Sequence, residues 1–302
     1  VSNLLLVAAC LALGVGLARS GAFPAETPRV LNAFVLSVAL PASVFARMRA
    51  AGIGGGVWLP ASMAWLQLAV VALAVEAVGR WRGWDRPLRA SLLLTAGVAN
   101  TSFVGWPLIE ALVGPEGLPT AILADQLGSF VVVSTVGTAV AAWGSGAALD
   151  LRAIAGRVAR FPALPALILA LATRGAPIPE AVVDVADRLG GTLTPLALVS
   201  VGFQLRPGGA GDAAPLAVGL LLKLVCVPAL LTALYLAIGA PPGLPLRVTV
   251  LEAAMPPMIT GAILAIDHGL APALAGRMVG LGIPLGVVTV AAWSRLLPAV
   301  TG

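Results

Sequence analysis

In the run Ala99-Asn100-Thr101-Ser102-Phe103-Val104-Gly105-Trp106-Pro107, a carboxamide, two hydroxyls, a glycine and a proline interrupt an otherwise apolar segment. Proline removes a backbone donor and clashes with the preceding turn, and glycine loosens the helix further. In hydrocarbon the freed amides and carbonyls need partners, so such a break belongs where it faces protein or a cavity. A second break, Met255-Pro256-Pro257-Met258 followed by Thr260-Gly261, interrupts an apolar run near the other end of the chain. If the two broken helices cross, their half-helix N-termini converge. Unpaired N–H groups and partial positive charge there suit an anion such as a carboxylate. The chemistry expected is binding by hydrogen bonds. Asn100, Thr101 and Ser102 supply the polar groups, Gly105, Pro107, Met255, Pro256 and Pro257 shape the breaks, and Gln204 bonds either the ligand or a neighbouring helix.

Ionisable groups inside apolar runs give the second clue. Lys223 sits about ten residues from either end of its run and is the single lysine beside seventeen arginines. A charge at mid-bilayer costs roughly 2.5–3.5 kcal/mol on insertion scales, so the side chain is expected to face inward with a partner. A compact, titratable ammonium suits a coupling or support site beside the breaks. Glu252, about a turn before the second break, and Asp125, early in its run, each fit two roles: neutralising Lys223 or carrying a proton. Either also fits an interfacial charge, Asp125 more than Glu252, because charges near span ends are cheap. Glu110, Glu116 and Asp267 lie near run ends and read as solvated.

These residues need elements to hold them. The 302 residues are 59% hydrophobic and 10% charged, with a mean hydropathy of +1.02. A soluble domain carries about a quarter charged residues, so most of this chain is expected to meet lipid. Apolar runs broken by Pro, Gly and Arg predict ten spans. They are 3–19, 31–46, 57–79, 89–113 and 119–143, then 161–174, 189–205, 214–238, 246–267 and 273–298. The polar stretch 144–160 is the natural centre, read as a cytoplasmic linker between units 1–143 and 161–302. With the N-terminus outside, eleven arginines, Arg29, Arg89, Arg157, Arg160 and Arg206 among them, fall on inner loops and six on outer ones. That balance puts both termini outside. Leu88-Arg89-Ala90-Ser91 returns 158 positions later as Leu246-Arg247-Val248-Thr249, while Leu127-Gly128 and Thr135-Val136 return 154 later as Leu281-Gly282 and Thr289-Val290. With five spans per half, the second copy enters the membrane inverted, a signature of alternating-access transporters.

Asn100-Thr101-x-x-x-Gly105-x-Pro107 with Ala254-Met255-Pro256-Pro257-Met258 resembles the auxin efflux carrier family. So do Asn32 with Val38-Ala39-Leu40-Pro41, and Thr194-Pro195-Leu196 with Gly202-Phe203-Gln204-Leu205. The resemblance covers nearly the whole chain. It implies an all-α membrane protein of ten helices in two inverted five-helix repeats, with crossing fourth and ninth helices, related in fold to bile-acid sodium symporters. It further implies a small organic anion as substrate (a carboxylate or dicarboxylate, auxin-like or otherwise) near Asn100, and an elevator-like motion. The frame would be spans 1, 2, 6 and 7, through which family members commonly form homodimers, and spans 3–5 and 8–10 would move. In plant relatives a matching lysine pairs with an acid of the third span. Here Gln67 lies near that depth and Glu76 nearer the helix end, which puts coupling of the plant kind in doubt.

Other classes fit less well. The basic residues sit in short loops between apolar runs, which argues against nucleic acid. One histidine, His268, and two cysteines in apolar runs leave no metal cluster, and no paired transmembrane aspartates suggest an enzyme. No cofactor is expected, and coupling to a proton or to sodium stays open. The alternatives are a sodium-coupled symporter of the bile-acid type and a transporter-like receptor. The Ala, Gly and Arg bias suggests a GC-rich bacterial source, hence the inner membrane.

Overall fold

The computed structural model describes residues 2–51, 56–159, 161–205 and 213–301. Arg160 and Arg206, counted in the charge balance, lie outside the described residues, as does the side chain of Arg157. The described chain is helical throughout and its helices follow the apolar runs. They are α1 (Ser2–Ser20), α2 (Thr27–Ala50), α3 (Trp58–Arg82), α4 (Arg86–Ala96), α5 (101–112) and α6 (Pro115–Ser145). After them come α7 (Leu151–Ala159), α8 (Ala163–Ala172), α9 (Glu180–Gly191), α10 (Leu193–Gln204), α11 (Ala213–Ala237), α12 (Leu244–Ala254), α13 (Ile259–Asp267) and α14 (Pro272–Leu296). Five of these, α2, α3, α6, α11 and α14, are long and apolar enough to cross a membrane, and α1 and α8 contain shorter apolar helices. The central polar stretch, read as a linker, carries α7.

Both interrupted runs are split in two, α4 from α5 and α12 from α13, at the predicted breaks. Local chemistry sets their ends. The Asp85 carboxylate accepts from Leu88 N at 2.9 Å and caps α4, while Gly83, at φ 68°, closes α3 in the left-handed region. Leu73, Trp81, Ile168 and Val288 are more than two-thirds exposed, which suits lipid-facing side chains and would be a liability in water.

The helices pack in two groups. α1 runs along α10, and α2 packs on α8, α9 and α10. The broken helices, with α3, α6, α11 and α14, pack mainly on one another. One anchor of this second group is an ion pair. Arg89, opening α4, donates to Glu76 of α3 at 2.7 Å, and its guanidinium lies 5.7 Å from the Trp143 ring at the end of α6. Removing it in Arg89→Ala is expected to cost roughly 1–2 kcal/mol of stability, more than a free surface pair, because the ring contact goes too. A melting curve of the detergent-solubilised variant checks this.

Candidate functional site

The two breaks meet. Asn100 N donates to the carbonyl of Pro256 at 2.9 Å, and Ala99 pairs with Pro257 as a lone antiparallel bridge. The backbone freed at each break is satisfied by its counterpart, as a hydrocarbon surrounding would demand. Pro257 also lies 158 positions after Ala99, the interval between the repeated Leu88 and Leu246 motifs. The bridge thus joins two positions separated by the same interval as those motifs. Glycines allow the close approach: a Cβ on Gly282 would lie 2.7 Å from Pro257, and one on Gly286 2.6 Å from Pro256.

Each half-helix ending at the crossing leaves carbonyls without helical partners. Gln67 of α3 donates through Nε2 to the carbonyl of Ala96 at 3.3 Å, and Lys223 of α11 donates through Nζ to that of Ala253 at 2.7 Å. A cation at a helix C-terminus is favourable with respect to the helix dipole. The hydrogen-bond partner of Lys223 is thus a backbone carbonyl, with the Glu252 carboxyl acting on it only electrostatically. Gln67 has the matching place at the end of α4, as a C-terminal cap for the first break.

Asp125 differs most from the sequence reading as an interfacial charge. It is 1% exposed and accepts from three side chains: Thr101 Oγ1, Ser102 Oγ at 2.6 Å and Gln126 Nε2 at 2.6 Å. α6 begins at Pro115, earlier than the expected start, so Asp125 reaches the depth of the crossing. π-helical turns help to aim these groups, since Thr101–Gly105, Ala124–Ser129 and Leu222–Cys226 hold Thr101, Ser102, Asp125, Gln126 and Lys223. Glu252 is fully buried, and neither of its oxygens has a hydrogen-bond partner among the described residues. Its carboxyl lies against Gly105, where any Cβ would collide with it, and within electrostatic range of Asp125 and Lys223.

Beside the crossing is a cavity of about 970 Å³, open at one end. Asn100, Ser102 and Asp125 line it from one break, and Met258, Ile259 and Thr260 line it at the N-terminal end of α13. The Asn100 Nδ2 amide is buried and has no partner among the described residues. From the other helix group come Asn32 and Gln204, which are joined through Ser200: its hydroxyl bonds Asn32 Oδ1, and Gln204 Nε2 donates to its carbonyl at 3.0 Å. Thr101, Gly105, Met255, Pro256 and Pro257 stand behind the wall, in the crossing itself. Pro107 lies in a second cleft of about 310 Å³, with Trp106, Glu110 and Thr194. α2 relates the two hollows, since Arg29 and Asn32 near its start line the cavity and Ser43 and Arg47 towards its end line the cleft. Glu110, read as solvated, is partly buried in that cleft.

Sequence reasoning passed over several lining groups. Phe103, Phe130, Phe161 and Phe203 contribute aromatic rings to an otherwise mostly aliphatic and polar lining, with Phe130 and Phe161 stacked at 3.6 Å between centroids. Asp267 is exposed, as its solvated reading expects, and Arg29 is exposed too; what their positions in the sequence do not reveal is that both line the cavity. In an apolar alphabet, isolated phenylalanines and a loop arginine give no local signal that they converge.

A family model described as "Membrane transport protein" matches residues 1–294. A protein of Methanothermobacter thermautotrophicus, described as an uncharacterized transporter, is 28% identical over 295 residues, covering 94% of each chain. The paired broken helices, the buried polar crossing and a match along almost the whole sequence converge: this chain belongs to the membrane transport protein family, the auxin efflux carriers that its motifs resemble, and is a membrane transporter.

Proposed function

We propose that the protein carries a small organic anion, bound in the cavity at the crossing, by alternating access. The observation that carries this reading is the amide of Asn100, without a partner among the described residues and buried in the cavity wall between the beginnings of α5 and α13. Two helix N-termini and an unpaired donor answer to a carboxylate, and the aromatic rings of the lining answer to an apolar body. Three observations support ten spans arranged as two inverted repeats. The bridge joins positions separated by the interval of the repeated motifs, Gln67 and Lys223 cap matching half-helices, and Arg247, like Arg89, reaches the end of the following long helix, here at the Ser294 carbonyl. The grouping of α1, α2, α8, α9 and α10 supports a frame past which the other helices slide as a unit. On the charge-derived orientation, the cavity opens to the cytoplasm of a bacterial inner membrane.

The test is uptake of a panel of labelled carboxylates into liposomes holding the purified protein, beside Asn100→Ala. Saturable flux of at least one anion, reduced at least about tenfold in the variant, is expected if the amide makes a charge-assisted bond to the ligand. Equal flux in folded Asn100→Ala moves the site elsewhere. Binding without flux identifies a receptor.

A further inference from the structure

The cavity presents a difficulty for an anion. Its described charged lining groups are Arg29 at the mouth and two carboxyls, Asp267 at the mouth and Asp125 at the inner wall. A carboxylate seated against Asn100 and Ser102 would lie beside the carboxyl that Ser102 itself binds. Behind Asp125 stands Glu252, so two acids and one ammonium, that of Lys223, share a buried layer. With both acids ionised the layer holds one uncompensated negative charge at membrane depth, which is costly. One bound proton removes it.

The hydrogen bonds choose where that proton goes. Asp125 accepts from three side-chain donors, which hold it as the anion. The Lys223 ammonium is spent on the Ala253 carbonyl, at the helix end where an incoming metal cation would otherwise find its ligand. Glu252 has no donor on either oxygen among the described residues. Asp125 and Lys223 are the ionisable groups that act on it from the helices packed around it, and α3 offers the neutral Gln67.

We propose that Glu252 is a proton-binding site, reached from the cavity through Asp125, and that a proton held there is the ion coupled to transport. Protonation makes the layer neutral and lets an anion enter beside Asp125. A tethered ammonium at the α12 end makes sodium unnecessary. The coupling half of this inference rests on the anion-carrier reading, whereas the proton site stands on the geometry alone.

The experiment has an arm for each half. Infrared difference spectra of the bilayer-reconstituted protein, neutral against alkaline pH, are expected to show the carbonyl band of a buried carboxylic acid. The band should shift on carbon-13 labelling of glutamate carboxyls but not of aspartate carboxyls, vanish in Glu252→Gln, weaken in Asp125→Asn, where Glu252 and Lys223 already balance, and grow in Lys223→Gln, where charge balance calls for a second proton. A band absent from the wild type at neutral pH, or shifted by aspartate labelling and not by glutamate labelling, overturns the assignment. These readings need no substrate. In the second arm, liposomes loaded with a pH-sensitive dye receive the anion found in the carboxylate panel. Internal acidification accompanying uptake, absent in Glu252→Gln, is expected, and uptake without proton movement, or uptake that requires sodium, overturns the coupling. Failure of every anion in the panel while the band behaves as stated would sink the carrier reading and leave the proton site standing.

Discussion

Asp125→Ala is expected to destabilise the protein by about 2–4 kcal/mol, three buried donors each losing an acceptor at roughly 1–2 kcal/mol and partly re-bonding to backbone in the membrane. The melting temperature should fall by roughly 5–10 °C for a chain of this size. The donors lie on the elements that form the site. Thr101 and Ser102 begin α5, and Gln126 adjoins Asp125 on α6. Their shared acceptor therefore fixes the first turn after the break, and with it the direction of the Asn100 amide. Asp125→Asn keeps one oxygen as acceptor for the two hydroxyls and should lose less than half as much. A thermal series read by size-exclusion recovery separates the variants. An alanine variant melting within a degree of the wild type would show that the three donors find other partners and that Asp125 does not organise the crossing.

The place of Asp125 shows which features the sequence made legible. The breaks could be read because their cause is local: a proline or glycine disrupts the helix that contains it, whatever surrounds it. The apolar runs were legible for the same reason. Depth was not local. Asp125 reads as a terminal charge when the apolar run alone sets the start of the span at residue 119, whereas Pro115 starts α6 a turn earlier. The capping of Ala253 by Lys223 was hidden for another reason. A sequence advertises acids as partners for lysine, but a carbonyl freed by a helix break leaves no side-chain signature. The stacked Phe130 and Phe161 come from opposite sides of the central polar stretch and meet only in three dimensions. Apolar pattern thus foretold elements and interruptions, while the cavity wall depended on contacts between elements.

The closest backbone approach at the crossing yields the second large expected effect. Gly261, in the first turn of α13, faces the carbonyl of Leu94 on α4 so closely that any Cβ would collide with its oxygen. A backbone carbonyl cannot rotate aside as a side chain can, so Gly261→Val must push the two helices apart. Overpacking of a tight contact costs typically 1–3 kcal/mol, and a branched side chain against backbone belongs at the upper end, about 3 kcal/mol. The displacement would reach the Ala99–Pro257 bridge four residues away, so flux should be lost from the molecules that remain folded. Two other glycines separate this effect from simple instability. Gly276 of α14 has open space around it, and Gly276→Ala should leave melting and flux unchanged or raise stability by up to about 1 kcal/mol through helix propensity. Gly202 of α10 meets the backbone of Leu11 in α1 as closely as Gly261 meets Leu94, but away from the crossing. Gly202→Val should therefore lower melting about as far as Gly261→Val while sparing flux per folded molecule, because it strains the frame and leaves the broken helices paired. Equal loss of flux in both would mean that the frame and the crossing respond as one body, which is incompatible with one sliding past the other.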